Sequence, residues 1–249
     1  MLKIMSFNLR VDTPVDGIHS WEHRKASVTD FLSTEAADVF GFQEILPPML
    51  AHLEGELPGY ASVGDFRSPA GEGCPILYRR DKYALLGSET IWLSETPATM
   101  STIAGSHFPR IATYAVLQAA SSLPFLYCNT HLDYASDAIS RRQLEVLLAY
   151  VTSIARQYGA AMIVGGDFNQ TAGSQTLQLI ENAGLISVFS HLDNPGCTFH
   201  DFGKVSFGLP IDHIYYDPSC RLMDAHILGG LHQGVWLSDH FPLVAIFRH

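Results

Sequence analysis

Residues 162–169 read Met162-Ile163-Val164-Gly165-Gly166-Asp167-Phe168-Asn169, and residues 211–216 read Ile211-Asp212-His213-Ile214-Tyr215-Tyr216. In the first stretch an apolar run leads into a carboxylate; in the second a carboxylate and an imidazole lead into an apolar run. Both runs are short and bounded by turn residues, as strands are. The same opposition recurs along the chain. Asn8 follows the run Leu2–Phe7, Gln43-Glu44 follow Val39–Phe42, and Asn129-Thr130-His131 follow Phe125–Cys128. Ser238-Asp239-His240, by contrast, open the run Leu243–Phe247. Strands that end in the polar group and strands that begin with it share one rim only if the two sets run antiparallel. A mixed sheet arrangement follows, with these groups on a single rim. A purely parallel layering would need every group after its strand.

Pro75–Tyr78 and Thr113–Gln118 are further expected strands. Helical spacing of Ile139, Leu144, Leu147, Leu148, Val151, Ile154, Ala155 and Tyr158 predicts a helix over 138–158, with Asp137 as N-cap and Gly159 just past its end. A second helix is expected over 175–183, between Ser174 and Gly184. Others are expected over 24–32 and 48–57. Interspersed strands and helices make an α/β (α+β) fold.

The chain has 249 residues, a formal net charge of −10, 47% hydrophobic residues and 16% charged ones. That length suits one domain spanning 1–249, and the apolar content excludes disorder. Lys and Arg number only 15 and are dispersed, which speaks against the extended basic face needed for long duplex DNA. It also speaks against a polybasic membrane anchor. No segment is apolar enough to span a bilayer and no signal peptide is evident, so a reduced, cytoplasmic monomer is expected. The four cysteines are scattered with no C-x-x-C pair, as suits that compartment.

The rim's donor set indicates its chemistry. Glu44, Asp167 and Asp239 offer hard anionic oxygens, and Asn8 and Asn169 neutral ones, which suits Mg²⁺ or Mn²⁺ rather than Zn²⁺. His131 and His240 exchange protons near neutrality. Arg110 and the pair Arg141-Arg142 are candidates for neutralising a phosphate. Together these groups suit attack of water on phosphorus. Taken singly, an Asp or Asn after a strand is ordinarily a turn or a cap; the joint arrangement is what points to a site.

These residues, in this order, resemble the endonuclease/exonuclease/phosphatase superfamily over nearly the whole chain. Met5-Ser6-Phe7-Asn8 is similar to its opening Asn motif, and Phe42-Gln43-Glu44 to its QE motif. Glu72 resembles its histidine-orienting carboxylate, Arg110 a phosphate-contacting Arg, and Asn129-Thr130-His131-Leu132-Asp133 the NTHLD form. Gly166-Asp167-Phe168-Asn169, Ile211-Asp212-His213-Ile214 and Ser238-Asp239-His240 resemble the GDFN, ID-x-I and SDH motifs. The resemblance implies a deoxyribonuclease-I-like four-layer α/β sandwich: two mixed sheets face to face, with helices on the outer faces. It implies Glu44 as principal Mg²⁺ (or Mn²⁺) ligand with Asn8 and Asp239 nearby. Asp167 and Asn169 would hold phosphate, water or a second metal. His240 would pair with Asp212 and His131 with Glu72, with acid and base left unassigned between the two imidazoles. Arg110, Asn129 and His200 are the expected substrate contacts, and Trp21 with Arg24 the expected support for the rim. His107, Phe108, Pro109, Tyr134 and Trp236 lie beside the motifs, as candidates for a pocket wall or for ordinary packing.

The expected function is hydrolysis of a phosphate ester, diester or monoester, by direct water attack. A small substrate or a short nucleic-acid end is favoured over extended duplex DNA. A sequence-relaxed nuclease is the nearest alternative, and its cleavage would fall steeply with salt. A catalytically silent domain would be favoured by a missing metal Glu or closing His, and neither is missing. A carboxylate-pair glycosidase would leave Asn8, Asn169 and both imidazoles without a role.

Overall fold

Period-two alternation along the strands decides which side chains meet between the sheets. In the computed structural model, which describes residues 1–192 and 195–248, the chain runs β1 (Leu2–Asn8), α1 (Trp21–Glu35), β2 (Val39–Gln43), α2 (Pro47–Glu56), β3 (Tyr60–Val63), β4 (Ile76–Arg79), β5 (Tyr83–Trp92) and β6 (Ile111–Ala119). It continues through β7 (Phe125–His131), α3 (Asp137–Tyr158), β8 (Ala161–Asp167), α4 (Gln175–Asn182), β9 (Ile186–Ser187), β10 (Asp212–Tyr216), β11 (Arg221–Ile227) and β12 (Leu243–Arg248). Two six-stranded sheets form, in the orders β11-β12-β1-β2-β4-β3 and β5-β6-β7-β8-β10-β9. Both are mixed. β1 runs parallel to β2 and antiparallel to β12, and β8 runs parallel to β7 and antiparallel to β10.

Ile4, Val39, Ile76, Phe125, Tyr127, Ile163 and Ile214 fill the space between the sheets. The alternate residues face outward. Met5, Phe7, Phe40 and Phe42 meet Val28, Phe31, Leu32 and Leu53 of α1 and α2. Leu126, Cys128 and Val164 meet Leu144, Leu147 and Val151 of α3 and Leu177 and Ile180 of α4. The result is the expected four-layer sandwich, helices outside and sheets within.

Every strand anticipated from the sequence is present. Those not anticipated, β3, β5, β9 and β11, are the outermost strands of the two sheets. An edge strand has one hydrogen-bonded neighbour and meets solvent, so its apolar pattern is diluted. β5 is mostly exposed from Ala84 to Glu89 and β11 carries Arg221 and Asp224 at its exposed positions.

The N-terminus of α3 differs from expectation by one residue. Ser136 is its cap, with Oγ accepting from the Ile139 amide. Asp137 instead accepts from the Gln175 and Thr176 amides at the start of α4, where a carboxylate also complements the helix dipole. Gly159 ends α3 at φ +60°, as expected. No helix among the described residues is long and apolar enough to cross a membrane.

Candidate active site

Continuing the alternation to the strand ends puts Asn8, Gln43, Asn129, His131, Asp167 and Asp212 on the inter-sheet side, in phase with Ile4, Val39, Tyr127, Ile163 and Ile214. Asn8 lies level with Gln43, and Asp167 level with both His131 and Asp212. The gap between the sheets therefore opens at one rim lined with polar groups. Gly166 makes this register possible: at φ +144° it passes so close to β7 that a Cβ would lie 1.9 Å from the Thr130 carbonyl oxygen.

Glu44 follows β2 with φ +61°. A glutamate in the left-handed region costs on the order of 1–2 kcal/mol and persists where the surroundings fix it. Its Oε2 accepts from the Val11 amide (2.9 Å) and its Oε1 from Asn8 Nδ2 (3.0 Å). The same Asn8 Nδ2 lies 3.0 Å from Asp167 Oδ2, so one amide aligns two carboxylates from opposite sheets. Asn169, at φ +52°, donates its backbone N–H to Asp167 Oδ1 (2.9 Å) and directs Nδ2 at His131 Nε2 (3.1 Å).

His240 Nδ1 is 2.8 Å from Asp212 Oδ2, and its Nε2 is 3.8 Å from Asp167 Oδ2. His131 Nε2 is 3.4 Å from the same Asp167 oxygen. Asp167, Asp212 and His240 each bring one ligand atom into a group spanning no more than 4.8 Å. Ser238 Oγ ties the closing motif to β1 through the Asn8 carbonyl (2.6 Å). Arg10 grips Asp16 with Nε at 2.9 Å and Nη2 at 3.0 Å, and its Nε stands 3.7 Å from Asp239 Oδ2.

Burial and charge drive the two imidazoles apart. Burial alone would lower His240, but the carboxylates of Asp212, Asp167 and Asp239 outweigh it and raise the group to about 10. Burial lowers His131 well below the ordinary range, and the charges of Arg110, His240 and Arg67 lower it further. The two imidazoles of the rim are thus shifted in opposite directions. Burial, then Asp212, pushes Asp167 up to about 7, against the opposing charge of His240. Asp239 is raised by burial and by Glu44.

A cleft of about 380 Å³ opens over this rim, lined by Glu44, Asp239 and Arg10 and by Arg67, Phe108, Arg110 and Tyr134. Arg110 is buried, with its guanidinium 6.0 Å from the Tyr134 ring centroid and Nε 3.5 Å from Asp133 Oδ2. Phe108 and Tyr134 are 41% and 55% exposed, so they form a pocket wall rather than ordinary packing.

Asp133 underpins that wall. Its carboxylate accepts from Ser106 Oγ (2.6 Å) and from the amides of His107 (3.0 Å) and Ala135 (2.8 Å). Burial would raise this carboxyl, yet those bonds, His107 and Arg110 hold it at about 2. A depressed folded pKa gives stabilisation that is complete above the ordinary carboxylate value and is lost as pH falls through the folded one. The stability difference between wild type and Asp133→Asn is therefore expected to shrink by about 1–2 kcal/mol between pH 4.5 and pH 2. Urea melts across that range check it.

Several expectations need correction. Asn129 does not reach the cleft: its Nδ2 donates to the carbonyls of Phe42 (2.7 Å) and Pro75 (3.1 Å), and its Oδ1 accepts from Gln43. It shares His131's face but sits two residues deeper, where it joins the sheets. His200 is buried against Phe241 at 3.8 Å and Trp236 at 4.7 Å, with Nδ1 accepting from the Gly203 amide. Its neighbour Phe199 enters the cleft instead, pairing with His240 across a bridge and packing edge-on at 5.2 Å. In an extended segment adjacent side chains point opposite ways, and the loop's register selects Phe199. Trp236 packs on His200 and is no part of the wall.

Glu72 reaches the cleft, but among the described contacts its partner is Arg67, Nη2 to Oε1 2.9 Å, and not His131. Arg141 and Arg142 are spent on Glu145 and Glu95 at the surface. Arg10 and Arg67 were missed. Both lie in loops with no periodicity to mark them, and adjacency to the Asn8 and Glu72 motifs was the one available signal.

Arg24 supports the rim, while Trp21 is buried in the core that α1 covers. The fully buried Arg24 donates to the carbonyls of His19 (2.5 Å), Leu9 (3.0 Å), Arg10 (3.1 Å) and Leu237, joining both ends of the rim. Burial lowers its pKa to about 10, which leaves it charged. Arg24→Met orphans these carbonyls at about 1 kcal/mol or more each. The expected result is a melting temperature lower by about 10 °C, read by circular dichroism.

The model of the Endonuclease/Exonuclease/phosphatase family matches residues 5–240. Among solved structures, the chain is similar to an endonuclease/exonuclease/phosphatase from Bacteroides vulgatus, 29% identical over 99% of this chain and 98% of that one, TM-score 0.92. It is similar to the mannosyl-6-phosphatase Bt3783 of Bacteroides thetaiotaomicron VPI-5482, 26% identical over 100% of both chains, TM-score 0.92. A likeness to ANGEL2, a 2',3'-cyclic phosphatase, at 21% identity over 99% of this chain and 95% of that one and TM-score 0.79, shows the shared fold. No curated protein sequence matches. With both sheets, the ordered rim motifs and the family match in agreement, the chain belongs to the endonuclease/exonuclease/phosphatase family and is a hydrolase of phosphoester bonds.

Proposed function

We propose that the chain hydrolyses a small phosphate ester by direct attack of water, with Mg²⁺ or Mn²⁺ bound against Glu44 and Asp239. The observation that carries this reading is one cleft lined together by the carboxylates of Glu44, Asp167 and Asp239, the guanidiniums of Arg10, Arg67 and Arg110, and the imidazoles of His131 and His240.

The residues fit a hard divalent cation. Glu44 and Asp239 offer carboxylate oxygens without sulfur, and Glu44's charge helps to raise Asp239, a repulsion that a cation between them relieves. Asp212 and His240 are less suited to it, because Oδ2 and Nδ1 are spent on one another. When bound, the cation supplies Lewis-acid polarisation of a phosphoryl oxygen. Asn8 holds Glu44 and Asp167 at fixed separation.

Asp167 Oδ2, flanked by both imidazole Nε2 atoms, would orient the attacking water and accept its proton. His240, its Nδ1–H donating to Asp212, presents a charged Nε2–H to the developing phosphate charge. His131, with Asn169 Nδ2 3.1 Å from its Nε2, lines the same cleft as Arg110 and would serve the oxygens of the bound phosphate.

A cleft of this volume suits a ligand of monosaccharide size, and the similarity to a mannosyl-6-phosphatase supports such a substrate. The net charge of −10 supports a compact phosphate rather than duplex DNA. The test is turnover of sugar phosphates, nucleotides, aryl phosphodiesters and oligonucleotides with Mg²⁺ or Mn²⁺. Turnover should vanish with EDTA and return with the metal. Absence of turnover across the whole panel would sink the reading.

A further inference from the structure

Arg67 and Arg110 share one aromatic platform. Their guanidinium carbons lie 4.4 Å and 5.6 Å from the Phe108 ring centroid. Each has a carboxylate beside it, Glu72 at 2.9 Å from Arg67 and Asp133 at 3.5 Å from Arg110. The Arg67 side chain is only 14% exposed, so the pair is no solvated surface bridge. Arg110 Nε has no hydrogen-bond partner among the described residues. Both guanidiniums line the cleft that His131 and His240 also line. An anion with several oxygens in this cleft has both guanidiniums among its neighbours.

We propose that Arg67, positioned by Glu72, is a specificity-determining residue that selects phosphate monoesters over diesters. The inference rests on the phosphoester reading above and adds the substrate class. A monoester has three terminal oxygens and a charge near −1.5 to −2 at neutral pH; a diester has two and a charge of −1. A guanidinium fork engages two oxygens at a time. With one oxygen facing Glu44 and Asp239 and another facing buried Arg110, only a monoester has a third for Arg67. A diester turns its second ester group toward that guanidinium. Glu72 thus serves here as the residue that aims Arg67.

The experiment compares kcat/KM for p-nitrophenyl phosphate and bis(p-nitrophenyl) phosphate, which share a leaving group. Wild type should prefer the monoester. Arg67→Ala should lower the monoester value about 100-fold and the diester value less than about 5-fold. Arg67→Lys keeps charge without the fork and should fall between. Inhibition by inorganic phosphate should weaken about tenfold or more in Arg67→Ala, a readout that a merely structural role would not move selectively. Equal losses on both substrates, a wild-type preference for the diester, or unchanged phosphate inhibition would each overturn the inference. Wild type inactive on both esters and on the wider panel would instead remove the reading beneath it.

Discussion

His240→Gln should lower kcat/KM on a phosphoester by about 10³-fold or more while the melting temperature moves by only a few degrees. Gln is the informative replacement because it keeps an N–H within reach of buried Asp212 and so avoids stranding that carboxylate. It removes the charge that His240 directs at Asp167 Oδ2 from 3.8 Å. Asp212→Asn should cost about 10²–10³-fold, since the imidazole stays but loses the partner at 2.8 Å that fixes its tautomer and its positive charge. Residues that act as a unit are not additive. The double variant should therefore be barely slower than His240→Gln alone. Losses that multiply would show Asp212 and His240 to work independently, against the pairing proposed.

The rim was legible in the sequence because two independent periodicities agree on it. Strand polarity set which runs end in a polar residue, and alternation set which residues face the inter-sheet gap. Asp167 and Asp212 satisfy both, and the antiparallel register brings them level. Depth was not legible. Asn129 and His131 have the same phase, and only the packed sheets show that Asn129 is consumed by Phe42, Pro75 and Gln43. Direction within loops was equally hidden, as His200 and Phe199 illustrate. The edge strands escaped notice for a related reason: a strand facing solvent need not declare itself by an apolar run. Glu72 was found but its partner was not, because Arg67 sits in an aperiodic loop and reaches over Phe108 with its side chain alone.

Glu44→Ala should abolish metal-supported turnover, with a loss of about 10³-fold or more at saturating substrate and ordinary Mg²⁺. The wider consequence is thermodynamic. A cation that binds the folded chain alone stabilises it by RT ln(1 + [L]/Kd), about 2.7 kcal/mol at a hundredfold excess over Kd. Wild type should therefore melt several degrees higher with Mg²⁺ or Mn²⁺ than with EDTA, and Glu44→Ala should not. In the absence of metal the variant should lose little stability. The change gives up two hydrogen bonds, from Asn8 and Val11, and it does not remove the left-handed φ of +61° that the site imposes. Glu44→Gln separates geometry from charge: it keeps an oxygen for the Val11 amide and should still lose most of the metal-dependent shift. Should Glu44→Ala retain both the Mg²⁺-dependent melting shift and turnover, the cation is held elsewhere. Asp167, Asp212 and His240, with ligand atoms within 4.8 Å, would then be the group to test. The left-handed backbone at Glu44 holds its carboxylate in the cleft that Asp239 also lines, where the two can share one cation.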